Sequence, residues 1–270
     1  MGTLGLAQRY GGAALVTGAS SGIGAAFARA LAAEGLDLVI VARRRERLEE
    51  LAGELAERHG VRVHVVAADL AERDAAARVM REVDERAIDL GILISNAGFG
   101  TYGPFLEQDP ETQMRIVEVN NRAMVALASV VAPRLQKRRR GAIVFLASTA
   151  AYQPVAFEAV YGASKAFNLM FGEALWAELR PAGVDVLVLS PGFTPTEYQQ
   201  KAAMGNPKPI TGWTSAERVV SEALERLGKV PSIVPGWRNR VVVRLMRILT
   251  RAAAARLTYR ANNPKGGHRR

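Results

Sequence analysis

The chain has 270 residues, of which 49% are hydrophobic and 23% are charged, and these are the proportions of an ordinary globular protein. This composition excludes a disordered or collagen-like chain, and the absence of cysteine excludes disulfides, thiol catalysis and cysteine-ligated metal centres. The three histidines are scattered along the sequence, so no metal site is expected.

The net charge of +10 is unevenly distributed. Ten of the 36 Lys and Arg residues lie in 238–270, a segment without Asp or Glu. Residues 1–237 therefore carry 26 basic and 26 acidic side chains and are formally neutral. A basic excess suits an anionic macromolecule, membrane or substrate, and here it belongs to one terminal segment.

Short apolar runs alternate with longer helical patterns. Strands are predicted at Ala13–Thr17, Leu36–Val41, Val61–Ala67, Leu90–Ser95, Ala142–Ala147, Val184–Leu189 and Ser232–Val234. Helices are predicted near 22–33, 44–58, 72–86, 110–138, 157–180 and 215–227. Several strands are apolar almost throughout, as in sheets covered on both faces. The sequence therefore predicts the α/β class, with a doubly wound, seven-stranded parallel sheet of Rossmann type and helices on both faces.

The first strand ends in the turn TGASSGIG (17–24), and a helix follows. Glycines let the backbone approach a diphosphate, and the helix start offers free N–H groups and a positive dipole end. A plain glycine-rich turn is the alternative. The residues expected to hold a dinucleotide are Gly18, Ser20, Ser21, Gly22, Ile23 and Gly24.

Three arginines, Arg43, Arg44 and Arg45, follow the second strand. Proteins that prefer NAD usually have Asp or Glu at this place, whereas a guanidinium suits the 2′-phosphate of NADP. A solvated helix start is the alternative, but three arginines oppose the dipole at a helix N-terminus. We therefore expect NADP(H) as cofactor, with Arg43 as its main phosphate contact and Arg44 as a helper.

Further motifs follow the later strands: Asp69-Leu70, Asn96-Ala97-Gly98, Asn120, Ser148, Tyr161-Gly162-Ala163-Ser164-Lys165 and Pro191-Gly192. Together with the glycine turn, they make residues 8–235 resemble the short-chain dehydrogenase/reductase family. Arg9-Tyr10-Gly11 and the segment VARRRERLEELAGEL resemble, within that family, the branch with long-chain 3-ketoacyl reductases and 17β-hydroxysteroid dehydrogenases.

The resemblance implies hydride transfer between a nicotinamide cofactor and a ketone or secondary alcohol. Tyr161 is the expected proton donor. A free tyrosine has a pKa of about 10, and the ammonium of Lys165, one helical turn further on, favours the phenolate. Ser148 is expected to hydrogen-bond the substrate oxygen. By resemblance alone, Asn120 holds a water that links Lys165 to solvent.

The same resemblance implies a set of cofactor contacts. Asp69 touches the adenine amino group, and Lys165 binds the ribose hydroxyls. The remaining contacts are Leu70, Asn96, Ala97, Gly98, Tyr161, Pro191, Gly192, Thr194 and Thr196. A helix N-cap is the alternative for Asp69, and an ordinary turn residue is the alternative for Asn96. We interpret Glu158, Asp109 and Asp185 as surface charges.

The segment 193–213 resembles the family's substrate-covering loop, which excludes water when it closes. Aromatic and apolar residues near the site suggest an apolar substrate, although core packing explains them equally well. The resemblance to the 3-ketoacyl reductase and hydroxysteroid dehydrogenase branch implies a lipid-like ketone. The candidate wall residues are Phe99, Tyr102, Tyr152, Phe157, Phe193, Tyr198 and Met204.

The basic segment 238–270 is predicted to be an extension of a single 1–237 domain and to form a basic amphipathic helix. Read as one helix, it has an arginine stripe and an apolar stripe: Arg240, Arg244, Arg247 and Arg251, beside Val241, Leu245, Ile248, Ala252, Ala255 and Tyr259. Three positions are open for this helix: it is expected to pack on the body of the protein, on a second subunit or on an anionic membrane surface. Nucleic acid is not expected, because interleaved aromatic residues and reading motifs are absent.

The chain is thus expected to be an NADP(H)-dependent oxidoreductase acting on a small-molecule ketone or alcohol. A non-catalytic dinucleotide-binding sensor or scaffold is the alternative. The family resemblance implies a homodimer or homotetramer formed through the helices near 110–138 and 157–180. No signal peptide or long apolar run is visible, so a cytoplasmic location is expected.

Overall fold

The computed structural model describes residues 4–197, 202 and 211–263. A seven-stranded sheet forms its centre, in the order β3-β2-β1-β4-β5-β6-β7, and all neighbouring strands are parallel. The strands are β1 (Ala13–Thr17), β2 (Leu38–Ala42), β3 (Val63–Ala67), β4 (Leu90–Ser95), β5 (Gly141–Leu146), β6 (Val184–Leu189) and β7 (Ser232–Ile233). The predicted doubly wound fold is confirmed.

The helices of the described residues cover both faces of the sheet. They are α1 (Leu6–Tyr10), α2 (Gly22–Ala33), α3 (Arg45–His59), α4 (Ala75–Glu85), α5 (Pro110–Val117), α6 (Ala123–Arg138), α7 (Ala159–Leu179), α8 (Ala216–Arg226), α9 (Trp237–Ile248) and α10 (Arg251–Asn262). The short helix α1 is absent from the sequence prediction, since five residues are too few for a helical period to be visible.

Apolar cores form on both faces of the sheet because neighbouring residues of a strand point to opposite faces. Ala14 and Val16 of β1 pack with α2, α3 and α8, whereas Leu15 packs with α4 and α6. All five residues of β1 are buried, as are those of β2. This two-sided burial explains why the strands read as continuous apolar runs.

The long helix predicted over 110–138 is interrupted. One π-helical turn, Glu118–Arg122, separates α5 from α6. Single π turns are frequent at functional sites because they redirect a side chain out of the regular helical register. Here the turn contains Asn120, one of the predicted site residues.

The chain order of the sheet reverses between β1 and β4, because β2 and β3 lie on one side of β1 while β4 to β7 lie on the other. In an open α/β sheet such a switch point leaves a crevice at the carboxyl ends of the strands, where ligands bind. The loops after β1 and β4 flank this crevice.

The basic extension forms two helices instead of the one that was predicted. The first helix ends before Leu249, whose backbone is extended. The Thr250 hydroxyl accepts a hydrogen bond from the Ala253 amide at 3.2 Å. Thr250 thus caps the start of α10. The predicted stripes do not continue beyond this break.

The extension contacts the body through a face that the periodicity did not indicate. Asn239 and Val243 are buried on α9, and Ala254 and Thr258 are buried on α10. The predicted apolar stripe of α9 is exposed instead. No helix of the described ranges is long and apolar enough to cross a membrane.

Candidate active site

A cavity of about 430 Å³ lies at the switch point and collects most of the predicted site residues. Of that set, its walls contain Gly18, Ser20, Ser21, Gly22, Ile23, Arg43, Arg44, Asp69, Leu70, Asn96, Ala97, Gly98, Ser148, Tyr161, Lys165, Pro191, Gly192, Thr194 and Thr196. Gly24 and Asn120 are outside this lining. Predicted residues spread over 179 positions, from Gly18 to Thr196, therefore line one cavity.

The turn after β1 has the backbone that its glycines predict. Gly18 and Gly22 have φ of +68° and +56°, a region that side chains disfavour. A Cβ at Gly24 would lie 2.2 Å from the Gly18 carbonyl oxygen, so Gly24 allows α2 to pack against the turn. The open wall made by Gly18, Ser20 and Ser21 at the start of α2 fits a dinucleotide diphosphate.

Asn96 joins the ends of the two central strands. Its side-chain amide donates to the Thr17 carbonyl at 2.8 Å, and the Thr17 hydroxyl accepts from the backbone amides of Asn96 and Ala97, both at 3.0 Å. Asn96 is buried, so these bonds fix the strand ends against each other. The residue thus organises the crevice wall, which includes Ala97 and Gly98.

Of the three consecutive arginines, Arg44 is held over the glycine turn. Its guanidinium donates to the hydroxyls of Ser20 and Ser21 at 3.0 and 3.1 Å. It also pairs with the carboxylate of Glu197 at 2.8 Å. Arg43 lines the cavity and is exposed. Arg44, predicted as the helper, therefore has the more constrained position of the two.

Asp69 lies in the cavity wall beyond β3. Its carboxylate accepts from the Ala71 amide at 3.0 Å and from Arg115 at 2.8 Å. Burial alone would raise the pKa of Asp69, but these hydrogen bonds and the charges of Arg115 and Arg43 hold it below the usual value. Helix α4 begins only at Ala75, so Asp69 is not its N-cap.

Ser148 follows β5 and caps a short 3-10 helix, Thr149–Tyr152. Its hydroxyl oxygen accepts a hydrogen bond from the Ala150 amide at 3.1 Å. This contact uses a lone pair and leaves the hydroxyl proton for a group in the cavity. The capping bond also fixes the rotamer, so Ser148 is positioned before any substrate arrives.

Tyr161 and Lys165 are on the same face of α7 because they are four residues apart. The Lys165 Nζ atom is 5.8 Å from the centroid of the Tyr161 ring. It donates to the Leu146 carbonyl at 2.9 Å. The side chain is only 3% exposed, and burial lowers the pKa of Lys165 to about 8. The ammonium is thus held close to the tyrosine in a poorly hydrated place.

Asn120 is fully enclosed behind the cavity. Its side chain accepts from the Phe99 amide and donates to the Phe99 carbonyl, each at 3.0 Å, and also donates to the Ser164 hydroxyl at 2.9 Å. A Cβ at Gly98 would lie 3.0 Å from Asn120 Oδ1 and 3.1 Å from Lys165 Nζ. The close packing around Gly98 therefore brings Asn120 to the neighbourhood of Lys165.

Seven further polar residues, absent from the predicted set, line the cavity: Arg115, Thr149, Gln153, Glu158, Glu197, Thr258 and Asn262. Glu158, interpreted as a surface charge, is buried, so that interpretation is wrong. Its position three residues before Tyr161 on the approach to α7 could have revealed it. Thr258 and Asn262 lie in α10, and no motif marks them.

The other two supposed surface charges have structural contacts. Asp185 accepts from Arg9 at 2.7 Å and from the Tyr10 hydroxyl at 2.9 Å, which ties α1 to β6. Asp109 accepts from the Thr112 amide at 2.8 Å and caps α5. Both carboxylates hold elements in place, and the interpretation of Asp185 and Asp109 as plain surface charges is therefore incomplete.

The candidate wall residues divide into several groups. Phe99 and Phe193 line the cavity. The Phe157 ring lies between those of Tyr102 and Tyr259, with centroids 6.3 and 5.3 Å away. The Tyr152 hydroxyl donates to that of Ser190 at 3.4 Å. Tyr198 and Met204 lie outside the described residues.

Comparisons with known proteins identify the family of the chain. The family model for short chain dehydrogenases matches residues 12–207. A 7β-hydroxysteroid dehydrogenase of Clostridium sardiniense is 32% identical over 233 residues, which are 86% of this chain and 88% of the relative. A very-long-chain 3-oxoacyl-CoA reductase of Anas platyrhynchos is 30% identical over 86% of this chain and 76% of its own length.

A solved structure extends the likeness to three dimensions. The short-chain dehydrogenase of Sphingobium yanoikuyae in complex with NADPH superimposes with a TM-score of 0.78 and 34% identity, over 96% of this chain and 98% of the other. The family model covers well over half of the 270 residues, and both curated relatives are named as dehydrogenases or reductases. The chain therefore belongs to the short-chain dehydrogenase/reductase family of oxidoreductases, as its motifs predicted.

Proposed function

We propose that the protein is an NADP(H)-dependent oxidoreductase that interconverts a ketone and a secondary alcohol, with Ser148, Tyr161 and Lys165 as its catalytic residues and Asn120 as a positioning residue. One observation carries the proposal: Ser148, Tyr161 and Lys165 line the same cavity as the glycine turn after β1. Reduction of a ketone needs the proton donor and the bound dinucleotide in the same cavity. A tyrosine and lysine elsewhere on the protein could not protonate the substrate oxygen during hydride transfer.

The side chains have complementary tasks in this reaction. The nicotinamide, when bound, supplies or accepts the hydride. Tyr161 exchanges a proton with the substrate oxygen, and the Lys165 ammonium favours its phenolate form. The Ser148 hydroxyl donates a hydrogen bond to the same oxygen and stabilises the negative charge that develops on it. Asn120 is a positioning residue, since it holds the Phe99 backbone beside Gly98.

For the cofactor, we assign the 2′-phosphate to Arg44 and Arg43. The Arg44 guanidinium donates hydrogen bonds to Ser20 and Ser21, so it lies next to the glycine turn that is proposed to bind the diphosphate. An arginine can hold a phosphate with two parallel hydrogen bonds, which gives geometry as well as charge. The NADPH in the Sphingobium yanoikuyae relative supports this choice. Asp69, Leu70, Asn96, Ala97, Gly98, Pro191, Gly192, Thr194 and Thr196 are proposed as further cofactor contacts.

For the substrate, we infer an apolar, lipid-like ketone or alcohol. Phe99, Phe193 and Val155 supply apolar wall to the cavity, while Gln153 and Glu158 add polar groups to it. Two relatives are named as a 7β-hydroxysteroid dehydrogenase and a very-long-chain 3-oxoacyl-CoA reductase, and both names denote lipid-like substrates. The alternative of a non-catalytic sensor has less support, because both the tyrosine and the lysine are present.

The protein is further proposed to work as a homodimer or homotetramer. Helices α5, α6 and α7 expose large apolar side chains: Met114, Val117, Val130, Phe167 and Met170. Apolar side chains gathered on adjacent helices favour burial against a second copy. The domain boundary near 237 and the cytoplasmic location remain predictions.

The proposed function is tested by following NADPH oxidation with a panel of cyclic and long-chain ketones. Tyr161→Phe should lower turnover at least about 100-fold, the scale of general acid catalysis, and should leave NADPH binding within twofold by fluorescence titration. The exposed Tyr259 gives a matched control, since Tyr259→Phe should retain turnover. Full activity of Tyr161→Phe would contradict the proposed proton donor.

A further inference from the structure

Helix α9 presents an apolar stripe away from the protein body. Trp237, Val241, Leu245 and Ile248 follow each other at intervals of four, four and three residues, which places them on one side of the helix. They are 62%, 43%, 59% and 81% exposed. The buried residues Asn239 and Val243 lie on the opposite side. The stripe is therefore directed outward and is uncovered in the described part of the chain.

Arginines border this stripe. By helical geometry, Arg244 and Arg247 lie on one edge and Arg238 on the other, and Arg251 follows in the next helix. Within residues 4–197, 202 and 211–263, only Arg240 of the extension has an ion pair, with Glu222 at 3.6 Å. The segment 238–270 has no acidic residue of its own. The outer surface of α9 thus has an apolar centre between arginines that form no ion pair with the described residues.

We propose that this outer surface of α9 docks on an anionic lipid bilayer, with the helix parallel to the membrane plane. Such helices bury apolar side chains just below the headgroups, while long arginine side chains reach back to the phosphates. The sign of the charge and the pattern both fit a lipid surface.

Two other occupants fit less well. A second copy packed on the same surface would bring two arginine-rich edges together without any carboxylate from the segment, and like charges across an interface are costly. Nucleic acid would satisfy the arginines but leave Leu245 and Ile248 in water. The lipid surface alone satisfies the apolar stripe and the charges together.

The docking surface is connected to the catalytic cavity through α10. Only Leu249 and Thr250 separate the two helices, and Thr258 and Asn262 of α10 line the cavity. The Asn262 side chain donates to the Ala156 carbonyl at 3.2 Å, so α10 is fastened to the loop before α7. Docking of α9 would therefore hold one wall of the cavity close to the membrane. That consequence depends on the proposed function, because it concerns delivery of a lipid-like substrate.

Co-sedimentation of the full chain with vesicles tests the docking independently of turnover. The protein should pellet with phosphatidylcholine vesicles that contain phosphatidylserine, and should stay in the supernatant with phosphatidylcholine alone. Arg244→Ala combined with Arg251→Ala should lower partition about 30-fold, since each basic side chain near an anionic surface contributes about 1 kcal/mol. Leu245→Asp combined with Ile248→Asp should abolish it.

The matched control is Leu106→Asp, which changes an apolar side chain that is 95% exposed outside the extension, and it should leave partition unchanged. All variants should keep wild-type thermal stability and wild-type turnover of a water-soluble ketone without vesicles. Because co-sedimentation does not measure turnover, its result stays interpretable even if the proposed enzymatic function is wrong. Equal partition of the wild type and the Leu245/Ile248 variant would overturn the docking proposal. The docking proposal would also be overturned if the Leu245/Ile248 variant lost its dimer but still bound vesicles, because a second copy of the chain would then be the occupant of this surface.

Discussion

The carboxylate of Glu197 accepts two hydrogen bonds from the guanidinium of Arg44, at 2.8 and 3.1 Å from Nη1. Glu197 belongs to the segment after β6, whereas Arg44 follows β2, so the pair spans the crevice. A carboxylate and a phosphate use the same guanidinium geometry. In this arrangement, Glu197 occupies donors that the proposed 2′-phosphate needs.

Glu197→Gln should therefore strengthen NADPH binding. Removing the charge weakens the competing pair, and a partly exposed ion pair contributes about 0.2–1 kcal/mol, so the Kd for NADPH should fall by at most about fivefold. NADH, which lacks the 2′-phosphate, should bind as before. Fluorescence titration of both nucleotides measures the effect. Glu54→Gln, which breaks the remote pair with Arg29, is the control, and weaker NADPH binding by Glu197→Gln would contradict the competition.

Arg44→Ala should weaken NADPH binding by about 10- to 100-fold, because hydrogen bonds to charged groups contribute about 1.5–3 kcal/mol. NADH binding should change less than twofold. The neighbouring Arg45 is exposed and pairs with Glu49, so Arg45→Ala serves as a control of equal charge change. Isothermal titration of each variant with both nucleotides provides the measurement. A larger loss in Arg43→Ala than in Arg44→Ala would restore Arg43 as the main contact.

The sequence predicted the sheet, and most of the candidate site residues line one cavity, because both depend on local patterns. Strands such as β1 are buried on both faces and therefore appear in the sequence as apolar runs. The site motifs follow the strands directly, and a parallel sheet brings the carboxyl ends of its strands to one edge. Thr258 could not be found this way, since only tertiary packing carries α10 to the cavity. The break at Thr250 was visible in principle, because a threonine at that place can cap a helix, but the apolar period continues across it.

Lys165 makes folding stability depend on pH. Its pKa in the folded protein is about 8, and its ordinary value is 10.5, so the unfolded chain binds more protons between these limits. The free energy of unfolding therefore rises with pH across this window, by about 3 kcal/mol at most for this group. Lys165→Met removes the contribution. The variant's stability relative to wild type should be greatest near pH 7 and should decline as the pH rises from 8 toward 10.5.

Denaturant unfolding of wild type and Lys165→Met at several pH values measures this difference. The comparison cancels titrations that both proteins share, including the buried Tyr10, whose pKa burial raises far above the usual range. Lys229→Met, a change at an exposed lysine, is the control for the loss of a lysine side chain. A stability difference for Lys165→Met that does not vary with pH would mean that the ammonium is not destabilised by its burial.

Thr258 connects the extension to the wall of the cavity. Its hydroxyl is 3.0 Å from the Pro154 carbonyl, to which it donates, and accepts from the Ala156 amide at 3.3 Å. Thr258→Val keeps the shape and removes both of these bonds, together with the contact of the hydroxyl to the Ala255 carbonyl at 3.1 Å. We expect a loss of about 1–3 kcal/mol of unfolding free energy, because buried partners lose their bonds, and a several-fold higher KM for bulky ketones with kcat nearly unchanged.

Thr250→Val separates the stability effect from the effect on the cavity. It removes the cap of α10, which should cost about 0.5–2 kcal/mol, at an exposed position outside the cavity lining. Its KM for the same ketones should stay at the wild-type value. Steady-state kinetics and thermal unfolding of both variants complete the comparison. If both variants raise KM equally, the extension affects the substrate site through general stability, and Thr258 has no specific place in the wall.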